Sequence, residues 1–247
     1  MKNLFLKLGL LPALILAAVA FVSCGGNEPT LPDNSVISAR SVIALTGSTS
    51  EIASVRVGVF ESRLPVFHSF AEAPFQNNGF TMQLPATLPD NLLSLIRGSF
   101  TDNAAITGNP DARWLPHTAL VAFCENNNII GTFNLIGDVD IENRTGTTAR
   151  WVYVDSDVSV TDSFDTPCVG FRWCTTVKAN LNLRKGWNIV YSYIISVELF
   201  GEDLSAGSHT TVSMTTQRPS GVFFVWTFIS LEDEFPFNLL DANGFFR

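Results

Sequence analysis

The stretch VKANLNLRKGWNIVYSYIISVEL, residues 177–199, constrains the fold more than any other part of the chain. Val177, Ala179, Leu181 and Leu183 alternate with polar residues, and Trp187, Ile189, Tyr191, Tyr193, Ile195, Val197 and Leu199 keep the same period of two beyond Arg184-Lys185-Gly186. Successive side chains of a strand point to opposite faces, so this pattern buries one face of a sheet and would wrap around a helix. The expectation is a hairpin turning at Arg184-Lys185-Gly186, with Gly186 suited to a left-handed backbone. Its second arm exceeds the usual strand of about 5–6 residues, so a bend or bulge within it is expected.

Other segments carry the same period. Val55, Val57 and Val59 share a side with Arg56 between them; Phe80, Met82 and Leu84 follow a turn at 77–79 and alternate with Thr81 and Gln83. Segments 119–124 and 129–135 flank ENNN, a hairpin loop by the turn chemistry of Asn. In 149–154, Trp151 and Tyr153 fall on one face and Val152 and Val154 on the other, so both sides of that strand are expected to be covered. Strands are also expected at 210–216 and 222–229. Twenty phenylalanines and only 15% charged residues agree with strand-rich structure. The single helical expectation is 90–96, DNLLSLI, with Asp90 as cap after Pro89.

The fold class is therefore all-β and β-sandwich-like: a small N-terminal β unit over 35–100, then a larger antiparallel β-sandwich or barrel over 101–247. The boundary is placed in the Asn-, Gly-, Thr- and Asp-rich stretch 97–113, and a single two-sheet sandwich is the alternative.

The beginning of the chain has a different character. Lys2 and Lys7 precede an apolar, uncharged run over 8–22, the layout of a secretory signal, and the run is shorter than the roughly 20 residues that span a bilayer. Phe21-Val22-Ser23-Cys24-Gly25 resembles the lipobox of bacterial lipoproteins, in which the cysteine becomes an acylated N-terminus. That resemblance implies a signal peptide over 1–23, a lipid anchor on Cys24, and a flexible tether over 24–34 containing Pro29 and Pro32. An ordinary signal peptide cut elsewhere is the alternative. Two or more acyl chains make attachment durable where one does not. The expected location is outside the cytoplasm, anchored to the outer membrane on its periplasmic face or at the cell surface, with the lipid bilayer as first partner.

Loss of 1–23 removes two lysines and no acid, taking the net charge from −8 to −10. Phosphate backbones are bound by clustered Lys and Arg, so no nucleic-acid partner is expected.

Four further pieces, TMQLPATLPDNLL, ARWVYVDSDVSVTD, LNLRKGWNIVYSY and RPSGVFFVW, in this order, resemble a family of uncharacterised β-rich lipoproteins of Gram-negative bacteria. The resemblance spans most of the mature chain. It implies location and strand content, and it carries no catalytic residue. DTPCVGFRWC departs from the family pattern and reads as an insertion.

Within that segment, Cys168 and Cys174 enclose VGFRW, and in an oxidising compartment a disulfide closing the loop is expected, stabilising by about 2 kcal/mol. Cys124 is then left buried in a strand or paired with one of the other two. Zinc spacing is lacking, so no metal or other cofactor is expected. Phe171 and Trp173 on the pinned loop are candidates for contact with a sugar ring or protein partner, or else they fold back and plug the sandwich.

Acidic residues gather at Asp138, Asp140, Glu142 and at Asp155, Asp157, Asp162, Asp165; they read as solvated strand edges, with calcium as the alternative. His68, His117 and His209 are scattered, and neither a Gly-x-Ser-x-Gly elbow nor a phosphate loop is present. The function expected is a non-catalytic binding or structural role in the cell envelope, with glycan or envelope protein as partner. The alternative is a polysaccharide hydrolase using paired carboxylates.

Overall fold

The computed structural model describes residues 34–60, 66–140, 145–169, 173–200 and 208–231, the side chains of 167–169 and 173 lying outside that description. In chain order the strands are β1 (Val36–Ala39), β2 (Val42–Ala44), β3 (Ser54–Phe60), β4 (Phe67–Pro74), β5 (Phe80–Gln83), β6 (Ser94–Leu95), β7 (Ala105–Gly108) and β8 (Arg113–Leu115). They continue as β9 (Ala119–Phe123), β10 (Ile129–Asp140), β11 (Thr145–Val154), β12 (Val158–Val169), β13 (Trp173–Leu183), β14 (Gly186–Leu199), β15 (Ser208–Thr215) and β16 (Phe224–Ser230). One sheet takes the path β4-β3-β9-β10-β11-β14-β15-β13-β12-β7. β16 and β2 extend it from β10, β8 and β6 extend it from β11, and β1 pairs with β5 in a separate ribbon. No described helix is long and apolar enough to cross a membrane. The fold is all-β, of β-sandwich type, as the alternation leads one to expect.

β11 explains how one sheet serves two cores. Trp151 and Tyr153 belong to one buried cluster and Val152 and Val154 to another. Alternate residues of a strand face opposite ways, so the clusters lie on opposite faces of the same sheet. The first, an aromatic core, is closed by the β1–β5 ribbon, which contributes Ile37, Ala39, Phe80 and Met82 against Phe133, Trp151, Trp187, Trp226 and Phe228. Thr81 and Gln83 point outward, as their alternation requires. The turn before β5 has Asn77 and Asn78 at φ 52° and 56° and brings Gln76 opposite Gly79. Two positive φ values in succession match the primed turns that join antiparallel strands. The second, an aliphatic core, lies beneath β12–β15 and is filled by Val158, Val160, Val177, Leu181, Leu183, Val190, Val212 and Met214, with Trp114 of β8 closing one side.

Strands from either side of residue 100 pair directly: β3 with β9, β2 with β16, and β6 with β8. Residues 35–100 thus supply the lid of a core completed by β9–β16, and the two cores are divided by sheet face, not by chain segment.

Two local expectations need correcting. The segment 177–199 forms two strands and the Gly186 turn, with Gly186 at φ 98°, but the strands do not pair with each other. β15 lies between them, parallel to β13 and antiparallel to β14. The reason is local: the buried Asn188 amide closes the turn, its oxygen accepting from Arg184 N at 3.0 Å and its nitrogen donating to Arg184 O at 2.7 Å and Gly186 O at 3.0 Å. The arms can then diverge, and Thr216 Oγ1 meets Asn182 N at 3.0 Å where a partner strand would otherwise sit. The expected irregularity in β14 is present as a register shift between Ile194 and Ser196. The second correction is at 90–96, which forms 3-10 turns over Asp90–Leu92 and Ile96–Ser99 around β6. Asp90 caps nothing there; its carboxylate accepts from Arg113 Nη2 at 2.9 Å.

Candidate functional site

Several expected site residues fall outside the described structure. Cys24, Glu142 and Phe171 do so entirely, as do the side chains of Cys168 and Trp173, although the Trp173 backbone begins β13 opposite Val169 and Ser208. Cys174 is disulfide-bonded, to a partner outside the described side chains, while Cys124 at the end of β9 is free. Cys124 sits at the mouth of the expected ENNN turn, its N–H donating to Asn128 O at 3.1 Å.

The acidic stretch 155–165 lies along β12 and the turn before it, and each carboxylate is engaged by a donor from the chain. Asp155 accepts from Arg113 N at 2.9 Å, Arg113 Nε at 3.2 Å and Ser156 Oγ at 2.8 Å. Burial pushes its carboxyl up, but these donors outweigh burial and hold it below the usual aspartate range. Asp157 accepts from Lys185 N at 2.7 Å, and Asp162 fastens the 3-10 turn to β12 by accepting from Thr101 N at 2.8 Å and Thr101 Oγ1 at 2.9 Å. No group of three or more metal-ligating side chains occurs among the described residues.

Asp165, Thr176 and His209, from β12, β13 and β15, form a chain of hydrogen bonds. Thr176 Oγ1 donates to Asp165 Oδ1 at 2.5 Å and lies 2.9 Å from His209 Nε2. A hydroxyl has one proton, and here the carboxylate takes it, so His209 must donate from Nε2. The same constraint means that His209 cannot draw the proton from Thr176. The arrangement ties three neighbouring strands together.

The outer face of β12, β13, β15 and β14 is a continuous polar surface. Strand register sets Ser163, Lys178, Ser213 and Tyr193 in one row and Thr161, Asn180, Thr215 and Tyr191 in the next. Thr161, Ser163, Lys178 and Asn180 are exposed, and Ser213, Thr215 and Tyr193 are half-buried. At the tyrosine end, the Tyr191 and Phe224 rings lie 5.4 Å apart, and the Arg218 guanidinium stands 5.7 Å from the Phe224 ring. Burial raises the Tyr191 phenol above its ordinary range, and the Arg218 charge opposes the rise.

Sequence reasoning did not single out this face. Its signal was the solvent side of the strands that revealed the core: Thr176, Lys178, Asn180 and Asn182 in β13, and Thr211, Ser213 and Thr215 in β15. Hydroxyls and amides predominate there, whereas ordinary solvated strands carry more charge. The chain matches no family model, no curated protein and no solved structure, so its site must be argued from its own residues.

Proposed function

We propose that the chain is an exported lipoprotein, fastened to the outer membrane through acylated Cys24, whose β body has a non-catalytic binding or structural role in the cell envelope. The observation that carries this reading is the lipobox-like Phe21-Val22-Ser23-Cys24-Gly25 at the end of an apolar leader, ten residues before the compact unit that begins at Asn34. A short polar tether followed at once by a folded body suits a module held near a bilayer. The carboxylates of 155–165, the material for a paired-carboxylate hydrolase, are occupied by structural donors, which favours binding over catalysis. Within the body, Cys168 is the natural partner of Cys174, and a disulfide between them closes a loop that carries Phe171 and Trp173, the candidate contacts for a glycan or envelope protein.

Metabolic labelling with radioactive palmitate tests the anchor. The wild-type chain is expected to incorporate label and enter the detergent phase on Triton X-114 partitioning, and Cys24→Ser is expected to do neither. Equal labelling of the two would refute the lipoprotein assignment.

A further inference from the structure

Nine arginines and lysines lie among the described residues. Arg56, Arg97 and Arg113 are in ion pairs with acids. Arg150 is half-buried, its guanidinium pushed down to about 10 by desolvation, and donates to Met214 Sδ at 3.8 Å. Of the other five, one stands within the outer face of β13 and three follow the C-terminal ends of β13 and β15. β13 and β15 run parallel, so their C-terminal ends lie together, joined by Asn182 N donating to Thr216 Oγ1. Arg184 and Lys185 follow β13, Arg218 follows β15, and Lys178 stands on the face itself. None of these four forms an ion pair among the described residues.

The acids on the same strands keep their charge: Asp157 accepts from the Lys185 backbone N–H, Asp165 accepts from the Thr176 hydroxyl, and Glu198 of β14 is exposed. The two rows between are hydroxyls, one amide, one ammonium and two tyrosines. Lys178 and Tyr193 are separated by one strand, or about 10 Å, and successive rows on this face lie about 7 Å apart. A molecule of net charge −8 over its whole length thus keeps four cations outside ion pairs, among the described residues, on and around a band of hydrogen-bonding groups and aromatic rings.

We propose that this band binds an acidic polysaccharide. Sugar hydroxyls exchange hydrogen bonds with Ser163, Asn180, Ser213 and Thr215, a pyranose face rests on Tyr193, and carboxylate or sulfate groups meet Lys178 and Arg218. A bilayer fits less well: interfacial binding needs buried apolar area, and the two rows expose no large apolar side chain. The inference rests on the binding role proposed above and names its ligand class.

The test uses the full chain, purified in detergent, with polygalacturonate as acidic polymer and dextran as neutral polymer. Glycerophosphoglycerol, a water-soluble anionic lipid headgroup, serves as competitor. Wild type is expected to bind polygalacturonate and not dextran, and to weaken several-fold between about 50 and about 200 mM salt. Lys178→Gln with Arg218→Gln is expected to weaken binding at least about tenfold with unchanged circular dichroism and Tm, and Tyr193→Ala to weaken it at every salt concentration. No binding to polygalacturonate, equal binding by the double variant, or equal displacement by the headgroup at matched charge would overturn the proposal. Membrane fractionation of the same variants separates the two readings. A wild-type chain that anchors but binds no polymer defeats the ligand assignment alone, one that binds polymer but does not anchor defeats the lipid assignment alone, and the double variant is expected to lose polymer binding while staying anchored.

Discussion

The aromatic core is held by directed contacts and the aliphatic core by shape. Three indoles of the aromatic core donate to backbone carbonyls of the N-terminal segment: Trp151 to Asn34 O at 3.1 Å, Trp187 to Pro85 O at 2.7 Å and Trp226 to Ser38 O at 3.0 Å. Trp151 and Trp226 also stack, with centroids 5.7 Å apart and planes 14° apart. Each tryptophan therefore sets the position of the lid as well as filling volume, since a buried N–H left without an acceptor is costly. The aliphatic core relies on valines, leucines and a methionine from consecutive strands, and its indole, Trp114, donates to a side chain, Ser99 Oγ, at 3.1 Å. One sheet thus carries a face that fastens a distant segment and a face that packs its own strands.

Removing a whole ring from the aromatic core gives the largest effect expected. Trp226→Ala deletes the Trp151 stack, the edge contact with Phe80 and the bond to Ser38, and is expected to destabilise by about 3–5 kcal/mol in denaturant unfolding. A loss below about 1 kcal/mol would mean that the lid is not fixed by these rings. Leu181→Ala, at 1% exposure in the aliphatic core, is expected to cost about 3 kcal/mol. The comparison sharpens with limited proteolysis. Trp226→Ala should speed cleavage in the β1–β5 ribbon ahead of global unfolding, whereas Leu181→Ala should follow global stability alone.

The aliphatic half was also the more legible in sequence, because aliphatic alternation reports directly which residues face inward. Val177, Ala179, Leu181 and Leu183 are all buried, as their spacing requires. What the pattern does not contain is strand order. A period of two is the same whether β13 pairs with β14 or is separated from it by β15, and the deciding group, the Asn188 amide, reads in sequence as one more polar residue. The aromatic half shows the reverse limitation. Alternation in β11 announced two covered faces, but the lid was legible only as a separate β unit, since the contacts joining it to β16 connect residues 188 positions apart. The polar face escaped notice because only register across four strands brings Lys178, Tyr193 and Arg218 to one surface.

Asn188→Ala tests the turn that lets β15 enter. It removes the amide that meets Arg184 and Gly186 and is expected to cost about 1–3 kcal/mol, less than either core truncation. Asn188→Asp keeps the acceptor for Arg184 N but loses the donor to two carbonyls, so it should recover part of the loss at most. Full stability in the alanine variant would show that strand order is set elsewhere.

The smallest effect expected is a pH dependence seated between the two halves, where Arg113 of β8 bridges Asp155 and Asp90. Because the folded-state carboxyl of Asp155 lies below its unfolded value of about 3.9, the folded protein holds the charged form more tightly. The contribution is therefore fully present above that unfolded value and is lost as pH falls through the lower folded one. Asp155→Asn lacks the titration, so its Tm should fall less than wild type between about pH 5 and about pH 3, by a few degrees at most. Other carboxylates titrate in the same window, so the variant's curve should flatten and not become level. Parallel Tm curves for the two proteins would mean that the fold holds the Asp155 carboxylate no more tightly than the unfolded chain does, the Arg113 backbone, the Arg113 side chain and Ser156 together adding nothing that depends on pH.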